Sequence, residues 1–312
     1  MPERASLLIL TGPSASGKES VALEIARRVG GEIISLDSMK IYREIDIATA
    51  KPDLETRRRV PHHLIDIVDP DVDFSTGDYL PLLERAIDDV RARGRFPIVS
   101  GGTALYLVAW LQGLAELPPA DWSVRSRLIE EGEALGPEAL HARLSAIDPE
   151  AASRLLPRDL RRIVRALEVW ETTGRPISSY WEWSSYELPQ GARLFGIEWS
   201  RRELHARIDA RVLRMVERGL FEEAERLLHR TPPLGRSARQ CIGLKEIFEA
   251  EREGLDRDAV IERIQRNTRR FVKRQMTWFR KLPIEWIPVS GSIDPEAVAS
   301  TVLERSALVS TS

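Results

Sequence analysis

The segment Gly12-Pro13-Ser14-Ala15-Ser16-Gly17-Lys18 has the spacing GxxxxGK, set between the apolar run LLIL and the amphipathic stretch ESVALEIARRVG. A strand before and a helix after are the context that lets such a loop bind phosphate. Its glycines allow backbone N–H groups to curl around phosphate oxygens, the helix N-terminus adds positive dipole, and Lys18 brings a formal charge to the terminal phosphate. The residue after this lysine is usually Ser or Thr, whose hydroxyl binds Mg²⁺. Here it is Glu19, and Ser20 follows one place later. A carboxylate is a good hard ligand for Mg²⁺, so Glu19 and Ser20 are the candidate metal ligands, yet a carboxylate close to a diphosphate also repels it. Ordinary nucleotide hydrolysis is disfavoured on that ground.

Two further loops carry chemistry-bearing residues. IISLDSMKIY places Asp37 and Ser38 just past the end of a predicted strand, at the edge of an open sheet where ligands bind. A carboxylate there either binds Mg²⁺ or removes a proton from an attacking group; the bland alternative is a helix N-cap. SGGTALY, Ser100 to Tyr106, is a second strand-to-glycine-loop-to-helix junction. Its glycines permit close backbone approach and Thr103 can present a hydroxyl to phosphate, the alternative again being a helix cap. Two glycine-bearing loops with a carboxylate loop between them suggest a diphosphate channel.

The elements that position these loops read as alternating short β-branched runs and helical patterns: LLILTG, ESVALEIARRVG, GEIISLDS, HHLIDIVD, YLPLLERAIDDVRARG and FPIVSGG. Such alternation predicts βαβ units and a parallel sheet with helices on both faces. LPPAD then breaks the pattern, and Trp122 to Thr173 shows helical periodicity without a strand-like run. Gly174 is a plausible C-cap with Pro176 beyond it. Arg193 to Trp199 returns to a strand pattern, and Arg201 to about Arg280 reads as long, charged helices. The expectation is an α/β core over 1–117 and 191–312, interrupted by a helical insertion over 118–190.

At 312 residues, 43% hydrophobic and 30% charged, the chain has an ordinary globular composition with no membrane-length apolar run. A lone Cys241 forms no internal disulfide and fits a reducing, cytoplasmic compartment. A net charge of −2 argues against a nucleic-acid partner, but the charge is segregated, with seven Lys or Arg and no acid in Arg266 to Lys281. On a helical reading Arg266, Arg270, Lys273, Arg274 and Arg280 share one side, while Val272, Met276 and Phe279 line another. RDLRRIVR and GRSAR add two more basic clusters. Trp181 and Trp183, in SSYWEWSSY, either stack on bases or pack within the insertion, and packing is favoured.

At this point the residues resemble the tRNA dimethylallyltransferase (tRNA isopentenyltransferase) family. The matching blocks are GPSASGK, ISLDSMKIYREIDIATAKP, HHLIDIVDP, GGTALY, RRIVRALEVWETTGRPIS, CIGLKE and KRQMTWFRK, which run from near the N-terminus to about residue 285. The resemblance implies a P-loop α/β fold with an inserted helical domain, and Mg²⁺-assisted transfer of dimethylallyl from its diphosphate to N6 of the adenosine next to the tRNA anticodon. It implies that Asp37 is the general base, that Thr103 contacts the bridging region of the diphosphate, and that Lys18 with the loop amides stabilises the leaving pyrophosphate. Arg207 and Arg211, one helical turn apart, are further candidates to close on the diphosphate.

The same resemblance assigns tRNA contact to Asp37, Ser38, Met39, Lys40 and Thr103, to Arg125, to Arg161, Arg162, Ile163, Val164 and Arg165, and to Arg239, Gln240, Cys241, Ile242, Gly243 and Leu244. A monomer is expected. Three positions depart from the family pattern: Glu19 replaces a hydroxyl residue, Lys40 stands where Gln is common in contact with the target base, and Leu244 replaces a common Tyr. Rival readings are a prenyltransferase acting on free adenine nucleotides, a P-loop small-molecule kinase, and a catalytically silent RNA-binding paralogue.

Overall fold

The computed structural model describes residues 5–115, 117–181 and 185–308. The chain opens with β1 (Leu7–Thr11), α1 (Lys18–Val29), β2 (Gly31–Ser35), α2 (Leu54–Arg59), β3 (His62–His63), α3 (Thr76–Ala92), β4 (Phe96–Gly101) and α4 (Ala104–Gln112). A helical run follows, α5 (Trp122–Leu135), α6 (Pro137–Ile147), α7 (Pro149–Arg154) and α8 (Leu160–Thr173). The chain then continues with β5 (Ala192–Trp199), α9 (Arg201–Glu217), α10 (Leu220–Leu228), α11 (Leu244–Glu253), α12 (Arg257–Phe279), β6 (Glu285–Val289) and α13 (Pro295–Arg305). It divides into two compact units, one formed by residues up to Leu111 together with Tyr186 onward, the other by Gln112–Ser185.

The larger unit is built on a six-stranded sheet in the order β3-β2-β4-β1-β5-β6, and every pairing is parallel. Parallel strands buried on both faces read as continuous apolar runs, which is why LLIL is uninterrupted. Leu8, Leu10, Ile33 and Ile98 pack on one face with Val21, Ala22 and Ile25 of α1, while Leu7, Ile9, Ile34 and Val99 pack on the other with Leu83, Ile87 and Phe279. Each such fully buried side chain contributes about 1.5–3 kcal/mol of transfer free energy.

Register fixes where the loops emerge. Ser100 of β4 is level with Leu10 of β1 and with Ser35 of β2, and Gly101 is level with Thr11. The carboxyl ends of three adjacent central strands therefore finish together, and the segments following them, 12–17, 36–40 and 102–103, leave the same edge of the sheet.

Two parts of the larger unit differ from the expected pattern. HHLIDIVD supplies only a two-residue strand, with an isolated bridge between Tyr42 and Val68. Leu64 and Asp66 both have positive φ, which breaks extended backbone, and the Asp66 carboxylate is drawn to Lys51 and Arg57 at 2.6 Å each. The sixth strand, EWIPV, carries no strand alternation strong enough to be read in advance. It tolerates Pro288 because it lies at the edge of the sheet.

In the smaller unit α5 to α8 enclose their own core of Leu128, Leu140, Leu144, Ile163, Leu167 and Val169. α8 ends as expected at Gly174, left-handed at φ 69°, whose N–H bonds back to Trp170 O. At the centre lies the fully buried Glu168: Oε1 accepts the Asp121 amide at 2.6 Å, and Oε2 accepts Arg125 Nε at 2.6 Å and Arg165 Nη1 at 2.8 Å. Trp181 packs against this core, with the Arg154 guanidinium 4.7 Å from its ring centre. Trp183 lies outside the described residues.

Candidate active site

The loop from Gly12 to Gly17 turns through left-handed conformations at Ala15, φ 65°, and Gly17, φ 88°. A side chain at Gly17 would strike Ile293 Cδ1 at 2.7 Å, so both the backbone angle and the packing require glycine there. Two loop carbonyls are held by donors from a distant element: Ser16 O accepts Trp199 Nε1 and Ala15 O accepts Arg207 Nε, both at 2.9 Å. The Arg207 guanidinium in turn stacks 4.2 Å from the Trp199 ring centre. The first amides of α1 have no intrahelical partner and present the positive end of its dipole.

Lys18, the first residue of α1, is half-buried, and its only side-chain hydrogen bond among the described residues is a long one to Pro13 O at 3.4 Å. Burial and the nearby Arg211 push its pKa down to about 8, against the pull of Asp37. Arg211 is also held low by burial, opposed by Asp37, and makes no hydrogen bond or ion pair among the described residues. Two neighbouring cations beside the opening turn of a helix make this end of the loop electropositive. Arg207, expected to share this task, donates Nε to the loop carbonyl and stacks on Trp199, with its Nη2 beside Gly17.

The second glycine loop is pressed against the carboxylate loop. A Cβ on Gly101 would lie 2.0 Å from Leu36 O, so only glycine permits that approach. Ser38 N donates to Thr103 Oγ1 at 2.9 Å, while Asp37 Oδ1 accepts the amides of Met39 at 2.8 Å and Lys40 at 3.2 Å. Neither residue caps a helix with its side chain, because no helix follows Asp37 and the Thr103 hydroxyl is turned to Ser38. A Cβ on Gly102 would fall 3.2 Å from Lys18 Nζ, which brings this loop to the phosphate lysine.

A buried residue from α12 ties the assembly together. Gln275 Oε1 accepts Ser14 N at 3.1 Å, and its Nε2 donates to Gly102 O at 2.6 Å. Sequence reasoning missed it, reading this stretch only for its charges. Buried Glu223 was likewise passed over; its carboxylate accepts the amides of Asp46 and Ile47 at 2.8 Å and of Ala48 at 2.9 Å, fixing the segment that follows Tyr42.

The expected metal ligands are differently engaged. Glu19 Oε1 is in contact with Lys40 Nζ, and Ser20 Oγ donates to Gly17 O at 2.8 Å. Among the described residues no group of three or more His, Cys, Asp or Glu side chains could hold a metal ion.

The expected RNA contacts divide by burial. Arg161 and Arg162 are exposed, but Ile163 and Val164 lie in the core of the smaller unit, since every third or fourth residue of α8 must face inward. Arg125 and Arg165 are oriented by Glu168. In the larger unit Arg239 bonds Leu234 O at 3.0 Å and Gln240 is exposed, whereas Cys241, Gly243 and Leu244 are buried and Ile242 is half-buried. The buried side chains support the fold, and any contact from these positions would run through their backbone or their exposed neighbours. On α12, Arg266, Arg270, Lys273, Arg274 and Arg280 are exposed while Val272 and Phe279 are buried. No helix among the described residues is long and apolar enough to cross a membrane.

Comparison with known proteins agrees with this geometry. The family model described as IPP transferase matches residues 40–282. A protein named tRNA dimethylallyltransferase from Geobacter metallireducens is 45% identical over 96% of this chain and 97% of its own length. A Geobacter sulfurreducens protein of the same name is 44% identical over 93% of this chain and 94% of its own. Among solved structures, a tRNA Δ2-isopentenylpyrophosphate transferase from Staphylococcus epidermidis superposes with a TM-score of 0.68 at 32% identity, covering 96% of this chain and 97% of that one. A eukaryotic dimethylallyltransferase described as acting on tRNA superposes with a TM-score of 0.73 at 27% identity, covering 90% of this chain and 73% of the other. A model match over most of the sequence and relatives of this identity along nearly its whole length leave one assignment, that the chain belongs to the IPP transferase family.

Proposed function

We propose that this protein transfers the dimethylallyl group of dimethylallyl diphosphate to N6 of an adenosine beside the anticodon of tRNA, releasing diphosphate. The observation that carries the reading is the pair of half-buried cations, Lys18 and Arg211, held close to each other and to the carboxylate of Asp37 at the P-loop. The cations take the diphosphate oxygens; as the allylic C1–O bond breaks, the charge that grows on the leaving group meets donors already in place. Adenine N6 attacks C1, and the proton it sheds passes to Asp37, whose orientation is held by the amides of Met39 and Lys40. Thr103, fixed by Ser38, borders the bridging oxygen. No covalent enzyme intermediate is required. Mg²⁺ accompanies the diphosphate as its counter-ion, and no step is assigned to it.

An adenine in an anticodon loop reaches such a site only when unstacked and swung out. The basic side of α12, the exposed Arg161 and Arg162, and the oriented pair Arg125 and Arg165 are the proposed phosphate contacts of the surrounding RNA. Incubation with labelled dimethylallyl diphosphate plus either unmodified tRNA or AMP tests the reading. Label is expected on tRNA alone and lost in Asp37→Ala; label on AMP, or on neither acceptor, refutes it.

A further inference from the structure

Glu19 and Lys40 are separate departures from the family pattern, 21 residues apart, and the fold brings them into contact. Glu19 is the second residue of α1, directly after the phosphate lysine, with its side chain 44% exposed; Lys40 reaches it from the carboxylate loop with a side chain only 6% exposed. Neither is comfortable alone. The Lys40 side chain is buried in a neighbourhood that also holds the cations Lys18, Arg211, Arg57 and Lys51. An unpaired Glu19 would set a carboxylate on the same helix end that has to attract an anion. Paired, the two opposite charges offset part of each other's cost.

We infer that Lys40 and Glu19 act as one device: the ammonium withdraws the carboxylate from both metal and diphosphate, and adds a fixed positive charge beside the anion site. Diphosphate binding by this chain consequently depends little on divalent cation. The inference rests on the proposed diphosphate site and specifies how its charge is balanced. Lys40 is a positioning residue in this scheme, since it acts through Glu19. Both side chains line a cavity of about 220 Å³ together with Ser35, Lys51, His62 and Arg218. A Glu19 released from Lys40 therefore has room to take up a hydrated cation.

The test is calorimetric binding of inorganic pyrophosphate, in Mg²⁺ and in EDTA, to the wild type, Lys40→Gln and Lys40→Gln with Glu19→Thr. Wild-type affinity should change less than about threefold when Mg²⁺ is removed, because a fixed ammonium already serves. Lys40→Gln should lose about tenfold or more in EDTA, one charge pair of this size being worth roughly one decade, and recover in Mg²⁺. The double variant, with neither carboxylate nor ammonium, should bind in Mg²⁺ about as well as wild type. A wild type that itself loses tenfold in EDTA, or a Lys40→Gln protein with the wild-type Mg²⁺ response, overturns the inference while leaving the diphosphate site intact. Absence of pyrophosphate binding in all three proteins overturns the site and the inference together. Glu19→Gln, which keeps a neutral partner for Lys40, covers the case of a poorly folded Lys40→Gln: it should bind pyrophosphate in EDTA at least as tightly as wild type, and weaker binding counts against the scheme.

Discussion

Replacing Lys18 by Met should stabilise the protein while abolishing its grip on diphosphate. The lysine pKa falls from 10.5 to about 8, with burial the leading cause and Arg211 the next. Because the folded-state value lies below the unfolded one, it is the charged form that folding penalises. The penalty is present in full below pH 8, shrinks as pH rises from about 8 to 10.5, and is gone above, where the amine is neutral in both states. A shift of this size corresponds to about 3 kcal/mol, and the methionine side chain fills nearly the same space without a charge. Urea unfolding of the two proteins across pH 6 to 11 measures it directly. The variant should be more stable by about 3 kcal/mol near neutral pH, and the difference should decay to nothing in the alkaline limb. Dimethylallyl diphosphate should bind wild type progressively more weakly above pH 8, and the variant weakly throughout. A variant less stable than wild type at pH 7, or a gap that does not close with pH, would refute the claim that folding desolvates the Lys18 ammonium.

Gln275→Leu leaves Ser14 N and Gly102 O without their partner, at a cost of about 1–3 kcal/mol for each buried group; with the two glycine loops no longer spaced, kcat/KM should fall about 10- to 100-fold, and unchanged steady-state kinetics would remove Gln275 from the site's architecture. Glu168→Ala strands two arginines and an amide inside the smaller unit and should destabilise it by about 3 kcal/mol, seen as faster proteolytic cleavage within 112–185, with equal cleavage rates as the refuting outcome. Arg270→Ala with Lys273→Ala should reduce the slope of log Kd for tRNA against log salt by about one per side chain; a slope equal to that of wild type would mean this face of α12 does not track phosphates.

What could be read in advance was whatever lies in consecutive residues. GPSASGK announces a phosphate loop because strand, turn and helix are contiguous and each step has a local cause. The central strands and their helices were legible for the same reason, as was the Gly174 cap. The partners that hold the loop in shape were not: Gln275 reaches Ser14 from 261 residues away, and Trp199 reaches Ser16 from 183. Nothing local in KRQMTWFRK distinguishes a glutamine that bridges two loops from one that faces solvent. The block match over RRIVR also hid a division of labour, since a helix that offers Arg161 and Arg162 outward must put Ile163 and Val164 into the core.

Glu19 and Lys40 show why single departures from a pattern mislead when weighed one at a time. Read alone, Glu19 suggested a metal ligand, because a carboxylate beside a phosphate loop has that obvious use. Read alone, Lys40 suggested altered base contact. The contact between them supplies an electrostatic reading of the pair, in which a change that would repel the diphosphate is matched by a change that offsets it. The matching also constrains evolution at these positions. Losing Lys40 alone leaves a carboxylate at the anion-binding end of α1, and losing Glu19 alone leaves a buried ammonium among four other cations, so either single step is costly where the double exchange is not. Charge balance around a diphosphate is a property of the assembled site, and a residue's role there follows from the sum of its neighbours more than from its own type.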